Sequence, residues 1–210
     1  MLASLLNLFG CGSKLPADPD QPAFFPASAS VFEQHRKELR RVAEELGTNV
    51  MEYPEKIRDH GRESVIDALQ LLCSWKYINQ AELTEIERYT LVLDSLRMEV
   101  SNGGFHQYFF NASGDSWDII LWGMQESRDE EGLARFKEVL NVFPNGRPFR
   151  NRLHRDRQLR AMGERQWTAF EPFDGAFYEK PFPDREKAWA LIFSRLEQFR
   201  PAWPGDLERK

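Results

Sequence analysis

Apolar residues recur along most of the chain at three- and four-residue intervals, the spacing that lays one stripe of an α-helix against a core. The first such run, Val31, Leu39, Val42, Ala43 and Leu46, is opened by Ser30-x-x-Glu33 in the form of a capping box and stopped by Gly47. Val65, Ile66, Leu69, Leu72 and Cys73 predict a second helix from Glu63 to about Asn79. Thr84-x-x-Glu87 is another capping box, and the helix behind it carries Tyr89, Val92, Leu93, Leu96 and Val100 before Asn102-Gly103-Gly104 breaks it. A short apolar stretch runs on through Phe110, and Trp117, Ile120, Leu121 and Met124 then fall in helical phase. Asp129 caps a helix bearing Leu133, Phe136, Val139, Leu140 and Phe143, which Pro144-Asn145-Gly146 ends. Pro183-Asp184 begins a last helix with Ala188, Trp189, Ile192, Leu196 and Phe199, terminated by Pro201 and Pro204. No run alternates polar and apolar residues as a half-buried strand does, and no repeat recurs at a fixed period. The pattern predicts an all-α chain.

The first thirty residues depart from this pattern. Pro16, Pro19, Pro22 and Pro26 lie between Leu15 and Ser30, a density that blocks helix and favours an extended or surface-draped segment. Ahead of them Leu2, Leu5, Leu6 and Phe9 have helical spacing. The expected organisation is therefore an N-terminal arm over residues 1–29, a single multi-helix domain over 30–200, and a tail over 201–210. Leu8-Phe9-Gly10-Cys11 loosely resembles a bacterial lipoprotein cleavage box, yet no Lys or Arg precedes Cys11 as a signal segment would require. A short amphipathic helix is the expectation there, with an envelope-anchored lipoprotein through Cys11 as the alternative.

Composition narrows the function classes. The 210 residues hold 28 Lys+Arg against 33 Asp+Glu, a formal net charge of −5, which argues against a basic nucleic-acid binder. That total conceals a division, because residues 1–146 sum to −9 while residues 147–165 sum to +5. The positive block is Arg147, Arg150, Arg152, Arg155, Arg157, Arg160 and Arg165, against Asp156 and Glu164. On a helical wheel these arginines spread around the axis instead of forming a stripe, so they are expected to pair with acids or pack their stems. Two cysteines, Cys11 and Cys73, make no disulfide framework, which points to a reducing compartment, the cytoplasm. No apolar run approaches the ~18 residues of a membrane span.

The residues offer no catalytic, metal or cofactor constellation. No two of His35, His60, His106 and His154 stand three or four positions apart, as zinc ligands on a helix would. There is no Gly-x-Ser-x-Gly elbow, and Cys73 falls on an apolar helix face, where a thiol is buried and inert. Glu82, Glu85 and Glu87 crowd a helix N-terminus, where negative charge offsets the helix dipole.

One segment stands apart, Glu99-Val100-Ser101-Asn102-Gly103-Gly104-Phe105-His106-Gln107-Tyr108-Phe109-Phe110-Asn111-Ala112-Ser113-Gly114-Asp115. Amides, a carboxylate and a phenol mix there with aromatics at a helix break, the composition of a buried polar network. Phe105, Tyr108 and Phe109 share one helical face and should anchor it in the core. Asn102 and Asn111 are placed to cap helix ends, Gln107 to bridge, and Glu99 to receive their N–H donors.

The segment resembles the signature of the bacterial DNA-mimic protein C-terminal-domain family, at Glu99, Asn102, Gly103, Gly104, Phe105, Gln107, Tyr108, Phe109, Asn111 and Gly114. The resemblance extends over about residues 63–199. It implies a helical, often dimeric domain that acts by binding protein, in the namesake branch by imitating the DNA phosphate array and occupying a DNA-binding protein. The expected role is thus non-enzymatic binding of a protein partner, with no direct nucleic acid. The candidate acidic face comprises Glu82, Glu85, Glu87, Asp115, Asp118, Asp129, Glu130 and Glu131. The alternative is an enzyme drawing acid and base from Glu99, His106, Tyr108 and Asp115.

Overall fold

The spacing of apolar positions is realised as a succession of helices in a computed structural model that describes residues 18–20, 29–201 and 203–204. They are α1 (Ala29–Leu46), α2 (Tyr53–His60), α3 (Arg62–Ile78), α4 (Glu85–Val92), α5 (Ser95–Phe110), α6 (Trp117–Glu126), α7 (Glu130–Leu140), α8 (Arg152–Ala161), α9 (Arg165–Thr168), α10 (Glu171–Glu179) and α11 (Arg185–Phe193). No strand occurs among the described residues, so the chain is all-α as its periodicity predicts. Cys11 and most of the proline-rich arm lie outside the described residues.

Local signals explain most of the boundaries. Gly47 adopts φ 83° and stops α1. The Thr84–Glu87 box forms reciprocally: Thr84 N–H donates to Glu87 Oε2 at 2.9 Å and Glu87 N–H to Thr84 Oγ1 at 3.4 Å. Asp129 caps α7 by accepting from Gly132 N–H at 3.3 Å. Three expectations are corrected. The helix expected to run unbroken from Thr84 to Val100 is interrupted between Val92 and Ser95. The last helix ends at Phe193 and not near Phe199, and a separate 3₁₀ turn covers Leu196–Gln198. Helices α2, α8, α9 and α10 form where no apolar stripe announced them.

The described residues sort into two compact units. In the unit made of residues 26–91 and 189–210, α1 and α2 both pack on α3. Its core holds Leu39, Val42, Tyr53, Val65, Leu69, Leu72, Ile86, Tyr89 and Ile192. Cys73 lies there too, and burial pushes its thiol well above the ordinary value, into the inert state. A buried ion pair joins Lys76 Nζ to Glu87 Oε2 at 2.6 Å, and the other Glu87 oxygen accepts from Arg200 N–H at 2.8 Å. His35 bridges Val31 O and Ser74 Oγ.

The other unit, residues 1–25 and 92–188, packs α5 against α8, α10 and the 3₁₀ turn Ala112–Ser116, and α6 against α7. Aromatic rings fill its core. Phe105 meets Phe177 edge-on at 5.5 Å and stacks on Phe182 at 5.8 Å. Phe109 packs on Phe143 at 4.8 Å and on Phe170 at 5.6 Å. Phe105, Tyr108 and Phe109 are all fully buried, so the face they were expected to share is the one that anchors α5.

Candidate functional site

The motif occupies α5 and the turn behind it, and its two glycines set its geometry. Gly103 has φ −168°, ψ 29° and Gly104 has φ 73°, ψ −177°, so the helix kinks at the pair. Gly104 needs glycine twice over. Its φ lies in the left-handed region, and a Cβ there would overlap the carboxylate of Asp174. That carboxylate accepts the Phe105 N–H at 2.8 Å, restoring a partner to the first turn after the kink. Burial raises the Asp174 carboxyl above its ordinary value, opposed by this hydrogen bond. At Gly103 a Cβ would overlap the Gln107 carboxamide.

Just before the kink, Glu99 is buried and its carboxylate is surrounded by neutral donors. Gln107 Nε2 donates to Oε2 at 2.8 Å, Asn111 Nδ2 to Oε2 at 2.9 Å, and Ser113 Oγ to Oε1 at 2.8 Å. Three charge-assisted bonds from one helix turn and the following 3₁₀ turn hold the two halves of the kinked segment together. Asn111 thus serves Glu99 with its side chain and not a helix end. Asn102 is exposed.

A second charge closes the network from the opposite side, and sequence reasoning missed it. Arg155 is fully buried. Its Nε donates to Phe109 O at 2.6 Å. Nη1 donates to Phe149 O at 2.8 Å and Arg150 O at 2.9 Å, and Nη2 to Asn111 O at 2.7 Å and Asp115 Oδ1 at 2.8 Å. All five guanidinium N–H groups are engaged, four of them by carbonyls at the ends of helices and turns, where acceptors would otherwise be unpaired. Gly114 makes room for this, since a Cβ there would lie 2.9 Å from Arg155 Nε and 2.8 Å from Tyr108 O. Asn111 links the two nodes, side chain to Glu99 and carbonyl to Arg155.

Neighbouring arginines extend the brace. Arg150 Nη1 pairs with Asp118 at 3.4 Å, Arg152 Nε donates to Phe110 O at 3.0 Å, and Arg147 pairs with Asp20 at 2.7 Å. The signal for Arg155 is positional: Asn151, Arg155 and Leu159 stand at i, i+4 and i+8 and are all fully buried. The buried positions of α8 itself are Arg155 and Leu159, with Asn151 as its N-cap, so apolar period alone does not mark its inward face.

Of the groups proposed for an active site, Glu99 and Asp115 are committed to separate partners, whereas the Tyr108 hydroxyl and His106 Nε2 are buried without a hydrogen-bond partner among the described residues. Glu99 is enclosed by amides and a hydroxyl. Burial pushes the Asp115 carboxyl up to about 6, opposed by the Arg155 guanidinium against which it lies. Tyr108 is fully buried, its hydroxyl is raised by burial, and the oxygen has no hydrogen-bond partner among the described residues. His106 sits among Phe110, Trp167 and Phe170, and burial lowers its imidazole below the ordinary value. Among the described residues no three His, Cys, Asp or Glu side chains converge as metal ligands would, and no helix is long and apolar enough to cross a membrane.

The candidate acidic face is reduced. Glu87, Asp115 and Asp129 are buried, engaged respectively with Lys76, with Arg155, and with the N–H groups of Gly132 and Asp184. Asp118 is half-buried against Arg150. Glu82 and Glu85 are exposed in one unit, Glu130 and Glu131 in the other, and Glu131 pairs with Lys180. The missed distinction is between carboxylates that cap or pair and those that face water, which composition does not carry.

A family model described as DMP19-like protein matches residues 81–198, more than half of the chain and the whole of the motif. Searches of curated proteins and of solved structures return no match.

Proposed function

The chain belongs to the DMP19-like protein family, and from that premise we propose that it works by binding another protein and not by catalysis. The observation that carries this reading is the saturation of the motif's charges. Glu99 accepts three side-chain donors and Arg155 donates five bonds, so both charges are fixed in a brace and neither is free to act on a substrate. Recognition then falls to the surface, on a helical scaffold in the bacterial cytoplasm. The partner we propose is a DNA-binding protein, engaged through exposed carboxylates, Glu82 and Glu85 in one unit or Glu130 in the other.

Affinity capture with the full chain from its native host tests this. A DNA-binding protein should be retained, be released by competing duplex DNA, and be lost when either Glu82 with Glu85 or Glu130 becomes Gln. Capture indifferent to duplex DNA and to these substitutions would overturn the reading.

A further inference from the structure

One large ring of the unit that holds the motif is open to solvent, and two carboxylates share its helical face. Trp167 on α9 is 63% exposed. Ala169 (φ −62°, ψ −25°) and Phe170 (φ −98°, ψ −16°), which join α9 to α10, keep right-handed helical angles. Trp167, Glu171 and Asp174 therefore stand at i, i+4 and i+7 of a nearly continuous helical path and lie on one side of it. The base of this face is fixed. The Trp167 ring tilts against His106 at 4.5 Å, and Asp174 Oδ1 accepts the N–H of Phe105, the residue before His106, at 2.8 Å.

The charges here are negative and lack a counterpart. Those acting on His106 are Asp156 and Asp174, and those acting on Asp174 are Glu171 and His106, with no Lys or Arg among them. Burial lowers the His106 imidazole, which keeps it neutral and adds no balancing cation. Asp156 is committed to Arg160 at 2.8 Å. Asp174 and exposed Glu171 have no such cation among the described residues, and Asp174 bears a desolvation cost as well as the repulsion of Glu171. A cation beside them relieves both.

A nearby ring shows the form such a cation takes in this fold. His106 stacks on Phe110 at 6.0 Å, and over Phe110 lies the Arg152 guanidinium, 5.5 Å from the ring centre. No cation lies over Trp167 among the described residues, although an indole is the strongest aromatic partner for one. A guanidinium suits both parts of the face, because it is planar, stacks on an aromatic ring and forks its N–H donors to a carboxylate. An anionic group would meet Asp174 and Glu171, and an aliphatic one would leave them unpaired.

We propose that Trp167, Glu171 and Asp174 form a docking surface for one arginine side chain presented by a partner protein. The guanidinium lies over the indole, with its N–H groups towards the two carboxylates. This surface uses none of the carboxylates proposed above, so either reading can fail without the other.

Proton–nitrogen NMR of the full chain, titrated with the capped peptide Gly-Ser-Arg-Ser-Gly, tests the proposal. Counterpart peptides carry Leu or Glu in place of Arg. The arginine peptide is expected to shift the Trp167 indole N–H and the Glu171 and Asp174 amides saturably, while the Leu and Glu peptides leave them in place. Trp167→Ala, and Glu171→Gln combined with Asp174→Asn, should each weaken binding about fivefold or more, read at the amides that remain. Asn at 174 keeps an oxygen for the Phe105 N–H, and an unchanged spectrum away from the site confirms that each variant is folded. The proposal fails if the arginine peptide gives no saturable shift, or if either variant binds it as tightly as the wild type. A Leu peptide that binds equally well would overturn it in favour of a plain apolar contact, and tighter binding of the Glu peptide would overturn the charge assignment.

Discussion

Arg155 and Arg152 stand three positions apart on α8, in one arginine-rich block, and serve opposite purposes. Arg155 turns inward with every N–H matched to a carbonyl or carboxylate, and it binds the kinked α5 to the turns around it. Arg152 is half-buried, with its guanidinium over the Phe110 ring at 5.5 Å and its Nε donating to Phe110 O at 3.0 Å. The buried brace and this outer contact are built from the same short segments, residues 99–115 and 147–155. Composition treats the seven arginines alike. Burial separates them: Arg155 is fully enclosed, whereas Arg152, about 60° away on the same helix face, is half-buried.

The comparison breaks most readily at Arg155. Replacing it with Leu leaves Asp115 buried without its cation and several carbonyls unpaired, so urea denaturation should show a loss of about 3–5 kcal/mol. Arg155→Lys should recover only part of this, because three ammonium donors cannot serve five acceptor positions. An equal loss for Arg152→Leu would erase the distinction. Next in size is Glu99→Gln, which turns a carboxylate facing three donors into an amide with donors of its own. A loss of about 2–3 kcal/mol is expected by the same measurement. Gly104→Ala should cost about 1–3 kcal/mol through its φ of 73° and the displaced Asp174 carboxylate, and Asp174→Ala in the same background should relieve the second part only.

A pH-dependent effect of about 3 kcal/mol at most sharpens the comparison further. Burial holds the Asp115 carboxyl up to about 6 in the folded chain, above its ordinary value of 3.8. Between those values the folded state retains a proton that the unfolded chain has released. On this group's account stability therefore rises as pH falls through the window and is lost as pH climbs through about 6. Urea midpoints should show wild type gaining on Asp115→Asn as pH drops, and parallel curves would contradict it. Smallest of all, Trp167→Ala, which removes a ring that is 63% exposed, should leave stability within about 0.5 kcal/mol by urea denaturation.

How much of this the sequence discloses depends on what kind of contact each residue makes. Apolar stripes and caps are legible: α1, α3, α7, the Thr84–Glu87 box and the break at Gly103-Gly104 all follow from side-chain period and backbone freedom. The α5 face of Phe105, Tyr108 and Phe109 follows too, as does Glu99 as an acceptor for Gln107 and Asn111. Helix α8 is not legible, because its buried stripe runs Asn151, Arg155, Leu159 and presents polar residues where burial is sought. Nor is the fate of the carboxylates. Glu87, Asp115 and Asp129 differ from Glu82 and Glu130 only in the donors that tertiary packing brings to them, and those donors come from Lys76, from Arg155 and from the N–H of Asp184. Long-range pairing of this kind has no sequence period.

The central claim is that the motif's charges are an internal brace. It is tested most directly by exchange of the arginine Nε–H protons in the native full chain, followed by NMR. Arg155 Nε–H, buried against Phe109 O, should exchange many times more slowly than those of exposed Arg157 and Arg160. It should lose that protection in Glu99→Gln, which loosens the shared Asn111 link. Exchange of Arg155 at the rate of the surface arginines would contradict the account.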